Sequence, residues 1–202
     1  MDPETTLDPR FSSEDATPTP WSVARDQLRD AMSYQLTTIR ADGRPHQTTI
    51  AGIWLDEAFS FTTSTGEQKA HNLRAGNHHV IVTTGNSGWD GMDVVFEGDA
   101  LEVIDADRLG HLVDAYRTNY DDWFKFRLED GRFTAPGGIG PSLVCDVHAR
   151  KAFGSRRATR SARPAGGSDG LQLRAKDHFR SRLDRIPAVV GVRHGDRRSW
   201  AS

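Results

Sequence analysis

The chain has 202 residues with 26 Lys and Arg against 28 Asp and Glu, a formal net charge of -2. This length suits one folded domain with tails, and the balanced charge excludes an overall electrostatic footprint for nucleic acid or an anionic membrane. The single cysteine, Cys145, excludes an internal disulfide, and no stretch approaches the roughly 20 apolar residues that span a bilayer. We therefore expect a cytoplasmic protein.

The chain opens on an acidic segment rich in Thr, Ser and Pro over residues 1–18. It has neither the basic nor the apolar region of a secretory signal, so we expect a disordered lead-in. Thr19 and Pro20 then offer a helix cap followed by a first-turn proline. The apolar face that follows predicts an amphipathic helix through Val23, Ala24, Gln27, Leu28 and Ala31.

Strand patterns follow the helix. The runs Tyr34 to Arg40 and Arg44 to Leu55 are rich in Thr, Ile and aromatic residues, and Asp42-Gly43 between them is a strong hairpin signal. Alternating Phe59 and Phe61 predict a half-buried strand over Ala58 to Thr63. These three strands should form a meander.

The second half of the domain is predicted to contain both helices and strands. We expect helices over Glu67 to Arg74 and Ala106 to Tyr120, the second capped by Asp105, strands over His78 to Thr84, Asp93 to Ile104 and Ser142 to His148, and a turn at Gly85 to Gly88. Six antiparallel strands with short helices between them favour a mainly β protein closed into a barrel, because closure removes exposed strand edges.

Several runs carry a family resemblance. Tyr34 to Thr48, Phe61-Thr62-Thr63, Lys69-Ala70-His71-Asn72-Leu73 and Val95 to Ala100 occur in the order and spacing of the pyridoxamine 5'-phosphate oxidase-like FMN-binding split-barrel family. The resemblance covers roughly Pro20 to Gly154 and is nearest to the actinobacterial branch that takes FMN or the deazaflavin coenzyme F-420. It implies a six-stranded antiparallel split β-barrel, a homodimer, and a flavin- or deazaflavin-dependent oxidoreductase acting on a small molecule.

A phosphate site is predicted where the third strand meets the short helix. A flavin phosphate carries nearly two negative charges and needs hydroxyl and N–H donors with a cation. The run from Thr62 to Lys69 supplies such groups, and the candidates are Thr62, Thr63, Ser64, Gln68 and Lys69. Ser64 and Glu67 also match a capping box, with or without a ligand, and Lys69 has the alternative of a solvated lysine.

The resemblance places Gln47, Thr48 and Thr49 along the ring system of the cofactor, with His46 at the start of that strand. His46 has the alternative of an exposed turn histidine, and Asn72 either reaches the cofactor or holds its own helix. We predict no catalytic acid or base, because the ring of the cofactor is the reactive group. Neighbouring His78 and His79 point to opposite faces of a strand, so no metal site is expected.

Two other functions stay open at this point. One is a flavin- or deazaflavin-binding or storage protein without turnover, and the other is an empty barrel that serves as an interaction module. A vitamin B6 oxidase is not favoured, because the fuller substrate-phosphate signature of the true pyridoxamine 5'-phosphate oxidases is absent from the sequence. The substrate should depend on the loops at Gly85 to Met92 and Gly131 to Pro141.

The domain is expected to span residues 19–154, with a basic tail over 155–202 that holds 12 Lys and Arg against 4 Asp and Glu. Nucleic-acid binding is not favoured despite this charge. Relatives close instead on a phrase like Thr-Arg-Trp-x-Phe that helps enclose the cofactor, and this phrase is missing here. Reading the codons of Thr159 to Asp169 one nucleotide earlier permits that phrase followed by a stop, so we hypothesise a frameshifted, disordered tail.

Overall fold

Strands dominate the computed structural model, which describes residues 4–10, 12, 14, 16–84, 92–121, 123–136, 139–156 and 189–193. The helices in these residues are α1 (Trp21–Asp30), α2 (Gln68–Arg74) and α3 (Ala106–Asn119). The strands are β1 (Thr5–Leu7), β2 (Tyr34–Ile39), β3 (Pro45–Ile50), β4 (Gly52–Leu55), β5 (Ala58–Ser64), β6 (His79–Thr84), β7 (Met92–Glu102), β8 (Arg127–Glu129), β9 (Arg132–Ala135), β10 (Ile139–Arg156) and β11 (Val189–Arg193).

These strands form one antiparallel sheet that curls around its core. The main path runs β1-β11-β10-β7-β6-β2-β3, and β4-β5 and β8-β9 branch from it. β10 pairs with β7 along one edge and with β5 along the other, which turns the sheet back on itself. The mainly β, antiparallel class is thereby confirmed, although the described residues hold more strands than the six predicted.

The predicted long strand over 44–55 is the clearest difference. It divides into β3, which pairs with β2, and β4, which pairs with β5. At the division, the Tyr120 hydroxyl accepts a hydrogen bond from Gly52 N at 3.0 Å and donates one to Gly52 O at 2.9 Å. A Cβ at Gly52 would overlap the Phe59 ring. The chain therefore crosses between the two halves of the barrel at a point that only glycine fits.

Other boundaries shift by smaller amounts. α1 begins at Trp21 with Pro20 as its N-cap residue, one position later than the predicted Thr19 cap. Asp105 caps α3 as predicted, since its side chain accepts from Arg108 N at 2.7 Å. The predicted strand over Ser142 to His148 is much longer as β10, and the predictions missed β1, β8, β9 and β11.

The core has two adjoining apolar clusters. Inside the barrel, the Tyr34 and Phe59 rings lie 4.6 Å apart and the Phe59 and Phe96 rings 5.8 Å apart, closed on one side by α1. Outside it, α3 packs Leu112 and Tyr116 against β4 and β9. Burying aromatic residues of this size contributes much of the folding free energy, so the barrel is the rigid part on which polar residues are displayed.

The two ends of the chain meet beside the barrel. β11 lies between β1 and β10. Three residues of the predicted lead-in therefore lie in a strand, and so do seven of the predicted tail, the five of β11 and the last two of β10. The rest of the tail after Arg156 and the turn at Gly85 to Gly88 lie outside the described residues. The frameshift and the disorder of the tail stay predictions. None of the helices in the described ranges has the length and apolarity needed to cross a membrane.

Candidate functional site

The residues predicted to bind the cofactor lie on three neighbouring elements. α2 packs against both β2 and the end of β5, and β3 is the hairpin partner of β2. The predicted residues are distributed as His46, Gln47, Thr48 and Thr49 on β3, Thr62, Thr63 and Ser64 on β5, and Gln68, Lys69 and Asn72 on α2.

The β2–β3 register divides the four β3 candidates between two faces. His46 lies opposite Thr38 and Thr48 lies opposite Leu36, whose side chains are buried, so these positions share the inward face. Gln47 and Thr49 occupy the other face, because neighbouring residues of a strand alternate. There the Gln47 amide donates to Thr37 Oγ1 at 3.3 Å. A single ligand can therefore contact His46 and Thr48 on one face and Gln47 and Thr49 on the other only if it lies along the edge of β3.

That edge is free in the described part of the chain, where β3 pairs with β2 alone. An edge strand presents a row of unpaired backbone N–H and C=O groups. Planar heterocycles with alternating donors and acceptors can bind such a row in the way that an added strand would. The edge of β3 thus offers backbone groups in addition to the predicted side chains.

Buried hydrogen bonds tie α2 to the hairpin. Asn72 Nδ2 donates to Thr38 Oγ1 at 2.8 Å, and Asn72 Oδ1 accepts from Gln68 Nε2 at 2.8 Å. Asn72 is only 2% exposed and Thr38 is fully buried. These bonds show Asn72 holding its helix against β2, and its contact with the cofactor stays a prediction. Thr38 was missed by the sequence predictions, and a polar residue at an inward strand position was the signal available for it.

Three hydrogen-bond donors of the candidate site converge on one carboxylate oxygen. Glu67 Oε2 accepts from Lys69 Nζ at 2.8 Å, from Thr63 Oγ1 at 2.9 Å and from Ser64 N at 2.9 Å. We call these four residues the Glu67 cluster. The Lys69 side chain is 8% exposed, whereas that of Glu67 is 46% exposed. Lys69 is thus a buried cation, and the alternative of a solvated lysine is wrong.

The predicted capping box forms only in part. The Glu67 carboxylate bonds to the Ser64 backbone N–H as such a box requires, but α2 begins at Gln68 with Glu67 as its N-cap residue and without a side-chain cap. Burial disfavours the Glu67 carboxylate, but hydrogen bonds from Lys69, Thr63 and Ser64 outweigh it and lower its pKa. The sequence pattern predicted only a structural role for Glu67. The position of this acidic residue, two residues before Lys69, was the available signal for the ion pair between them.

His46 has a buried ring nitrogen. In the described structure its Nδ1 is excluded from solvent and has no hydrogen-bond partner. Burial lowers the pKa of His46, and the positive charges of Arg40 and Lys69 lower it further. His46 is therefore neutral at pH 7 and leaves an unsatisfied polar atom near Lys69, as expected of a group that meets a ligand.

The pKa of Glu67 gives a test of the cluster. We expect the free energy of unfolding of the wild-type protein to fall, relative to that of Glu67→Gln, as the pH is lowered. The carboxylate has a lowered pKa in the folded state, so its stabilisation is complete above the ordinary value of 4.5 and is lost as the pH falls through the folded value. Urea unfolding of both proteins between neutral pH and about pH 3 measures this. Glu129→Gln on exposed β8 is the control, and parallel wild-type and Glu67→Gln curves would contradict the prediction.

Comparison with known proteins adds family information to this geometry. A family model for pyridoxamine 5'-phosphate oxidase matches residues 22–152. A conserved hypothetical protein from Mycobacterium tuberculosis has a similar structure, with 20% identity, 78% of this chain and 98% of that chain covered, and a TM-score of 0.59. An FAD-binding protein from Mesorhizobium loti has 18% identity, coverage of 67% and 94%, and a TM-score of 0.51.

The FAD-binding protein from Mycobacterium smegmatis is also similar, with 16% identity, coverage of 70% and 98%, and a TM-score of 0.50. At these identities the likeness shows a shared fold. No curated protein matches the sequence.

Proposed function

Because the chain belongs to the pyridoxamine 5'-phosphate oxidase-like split-barrel family, we propose that it is an oxidoreductase that holds a flavin-type cofactor by its phosphate. The small-molecule substrate would react at the bound ring. The observation that carries this proposal is the Glu67 cluster, in which an ammonium, a hydroxyl and a backbone N–H all point at one anion. This donor set is the one that a phosphate group requires.

The charge of the Glu67 cluster also suits a phosphate group. Lys69 is the only charged residue among the buried residues of the described part of the chain. A buried ammonium is costly without an anion, and one such cation with nearby hydroxyls suits a single phosphate group. Two of the similar structures are described as FAD-binding proteins, which supports a flavin. We propose FMN as the cofactor, with coenzyme F-420 as the alternative.

The ring system would lie along β3. Its polar edge would meet the free strand edge, and the buried Nδ1 of the neutral His46 would gain a partner there. Gln47 and Thr49 would approach from one face of the strand, and His46 and Thr48 from the other. These residues bind and orient the cofactor, and the apolar barrel behind them keeps water from the inner side.

The redox chemistry itself would belong to the bound cofactor. Burial raises the pKa of the Cys145 thiol to about 12, so Cys145 is not a nucleophile. The pKa of the buried Tyr116 hydroxyl is also raised well above its ordinary value, so it is a poor acid. The protein would therefore contribute position and polarity.

A second copy of the chain would complete the site. Gln47, Thr49 and Gln68 are exposed on a single chain, so a cofactor bound there would keep one side in water. A homodimer that places another barrel over the β3 edge would cover that side and satisfy the edge. We propose this dimer as part of the functional form.

The visible spectrum of the purified protein tests the proposal. We expect a flavin spectrum, or quenching of FMN fluorescence when FMN is added to colourless protein. Reduction of the bound ring by a nicotinamide or reduced-deazaflavin donor would then demonstrate oxidoreductase chemistry. Binding without reduction by any donor would favour a storage protein. No signal with either FMN or F-420 would favour an empty barrel and would refute the proposal.

A further inference from the structure

A carboxylate of the chain itself lies where the cofactor phosphate is proposed to bind. The Glu67 carboxylate oxygen takes hydrogen bonds from Lys69 at 2.8 Å, Thr63 at 2.9 Å and Ser64 N at 2.9 Å. These are three of the groups that the proposed function assigns to the phosphate. Because Glu67 accepts from the donors that the phosphate would need, it competes with the ligand for them and does not help to bind it.

The two charged partners differ in their freedom to move. The Lys69 side chain is 8% exposed and enclosed by the fold, whereas the Glu67 side chain is 46% exposed and lies at the surface of the cluster. Glu67 can rotate into solvent, where its carboxylate would be hydrated. Lys69 cannot follow it, because a buried ammonium requires a partner. The cluster thus needs one anion at all times but does not need Glu67 in particular.

The phosphate and the Glu67 carboxylate would compete for the same position. A phosphate close enough to accept from Lys69 Nζ and Thr63 Oγ1 would stand against the Glu67 carboxylate. Like charges at that separation repel strongly in a partly buried site. Repulsion of this kind favours departure of the carboxylate when the phosphate binds.

We infer, as a step that rests on the proposed function, that Glu67 occupies the proposed phosphate position before the cofactor binds and is displaced when it binds. The carboxylate would keep Lys69, Thr63 and Ser64 in place before the cofactor binds, so the donors need no rearrangement when the phosphate arrives. It also reduces the apparent affinity, because only the fraction of molecules with Glu67 rotated away can accept the ligand. Glu67 would thereby set how readily the protein releases and reloads its cofactor.

The test compares two ligands that share a ring but differ in the phosphate. Dissociation constants for FMN and for riboflavin are measured with the wild-type protein and with Glu67→Gln, which keeps an acceptor oxygen for Thr63 and Ser64 but has no charge. We expect Glu67→Gln to bind FMN more tightly by on the order of tenfold, with riboflavin unchanged. Glu129→Gln on exposed β8 is the matched control and should change neither constant.

Simple repulsion without exchange would also strengthen FMN binding in Glu67→Gln, so a second measurement is needed. A crystal structure of the wild-type protein with FMN should show Glu67 Oε2 beyond hydrogen-bond distance of Lys69 Nζ, with a phosphate oxygen in its place. A phosphate bound elsewhere, or Glu67 retained on Lys69 beside bound FMN, would overturn the inference.

The outcomes also separate this inference from the proposed function. Wild-type protein that binds FMN, with equal or weaker binding in Glu67→Gln, refutes the displacement alone. Failure of wild-type, Glu67→Gln and Glu129→Gln to bind either FMN or riboflavin refutes the proposed function and the displacement with it. Urea unfolding of each variant shows whether it is folded, and Glu67→Ala, which removes both charge and acceptor, replaces Glu67→Gln if that variant does not fold.

Discussion

Replacing Lys69 by Met should cost about 1–3 kcal/mol of FMN binding free energy, or roughly 5- to 150-fold in the dissociation constant. Lys69 supplies the buried positive charge of the Glu67 cluster, and Met retains the length and packing of its aliphatic stem. The loss should be specific for the phosphate. Titration of FMN fluorescence gives the constant, and riboflavin, which has the ring without the phosphate, should bind both proteins equally.

Lys125→Met is the matched control for this experiment. Lys125 is exposed in the segment between α3 and β8, which contributes no residue to the candidate site, so its replacement should leave FMN binding unchanged. Equal FMN affinity in Lys69→Met and wild type would place the phosphate elsewhere. A parallel loss for riboflavin would show general damage to the site, and the charge-specific role of Lys69 would then be wrong.

Gly98→Ala should lower the free energy of unfolding by about 1–3 kcal/mol, because the barrel has no room for the added methyl group. A Cβ at Gly98 would lie 2.5 Å from the backbone oxygen of His148 and 2.8 Å from Val147 Cγ1. The first of these atoms belongs to the paired strand β10, so it cannot rotate away as a side chain could. The strands themselves would have to separate next to the register shift between Ala149 and Lys151.

Gly110→Ala is the opposite control. Gly110 lies inside α3, and a Cβ there would have no heavy atom within 4 Å. Alanine should therefore stabilise the protein by up to about 1 kcal/mol through helix propensity. Urea unfolding of both variants measures the difference. A Gly98→Ala protein as stable as wild type would show that β7 and β10 adapt more easily than their backbone contact indicates.

The local patterns predicted most of the elements. Asp42-Gly43 and the alternating apolar residues around it marked the β2–β3 hairpin, and Asp105 marked the start of α3, because turn and cap chemistry depend on neighbouring residues. The break between β3 and β4 at Gly52 was missed. That break depends on Phe59 and Tyr120, which meet Gly52 only in the folded chain.

The candidate site was predictable to a similar extent. The run from Thr62 to Lys69 was identified from its hydroxyls and its cation, and the structure brings Thr63, Ser64 and Lys69 onto one oxygen. The place of Glu67 in that convergence was not predicted, since a capping box accounts for the same residue spacing. Nor could spacing alone give the link from Asn72 to Thr38, which are 34 positions apart.

The sequence by itself determined the mainly β character, the hairpin and the supply of hydroxyls and one lysine beside α2, because these depend on composition, periodicity and turn chemistry within a few residues. Only the tertiary structure decided that β10 pairs with both β5 and β7, that β3 is an edge among the described strands, and that a carboxylate of the chain lies on the donors of the candidate phosphate site. Pairing and convergence join residues distant along the chain, and their geometry follows from the closure of the whole sheet around its core.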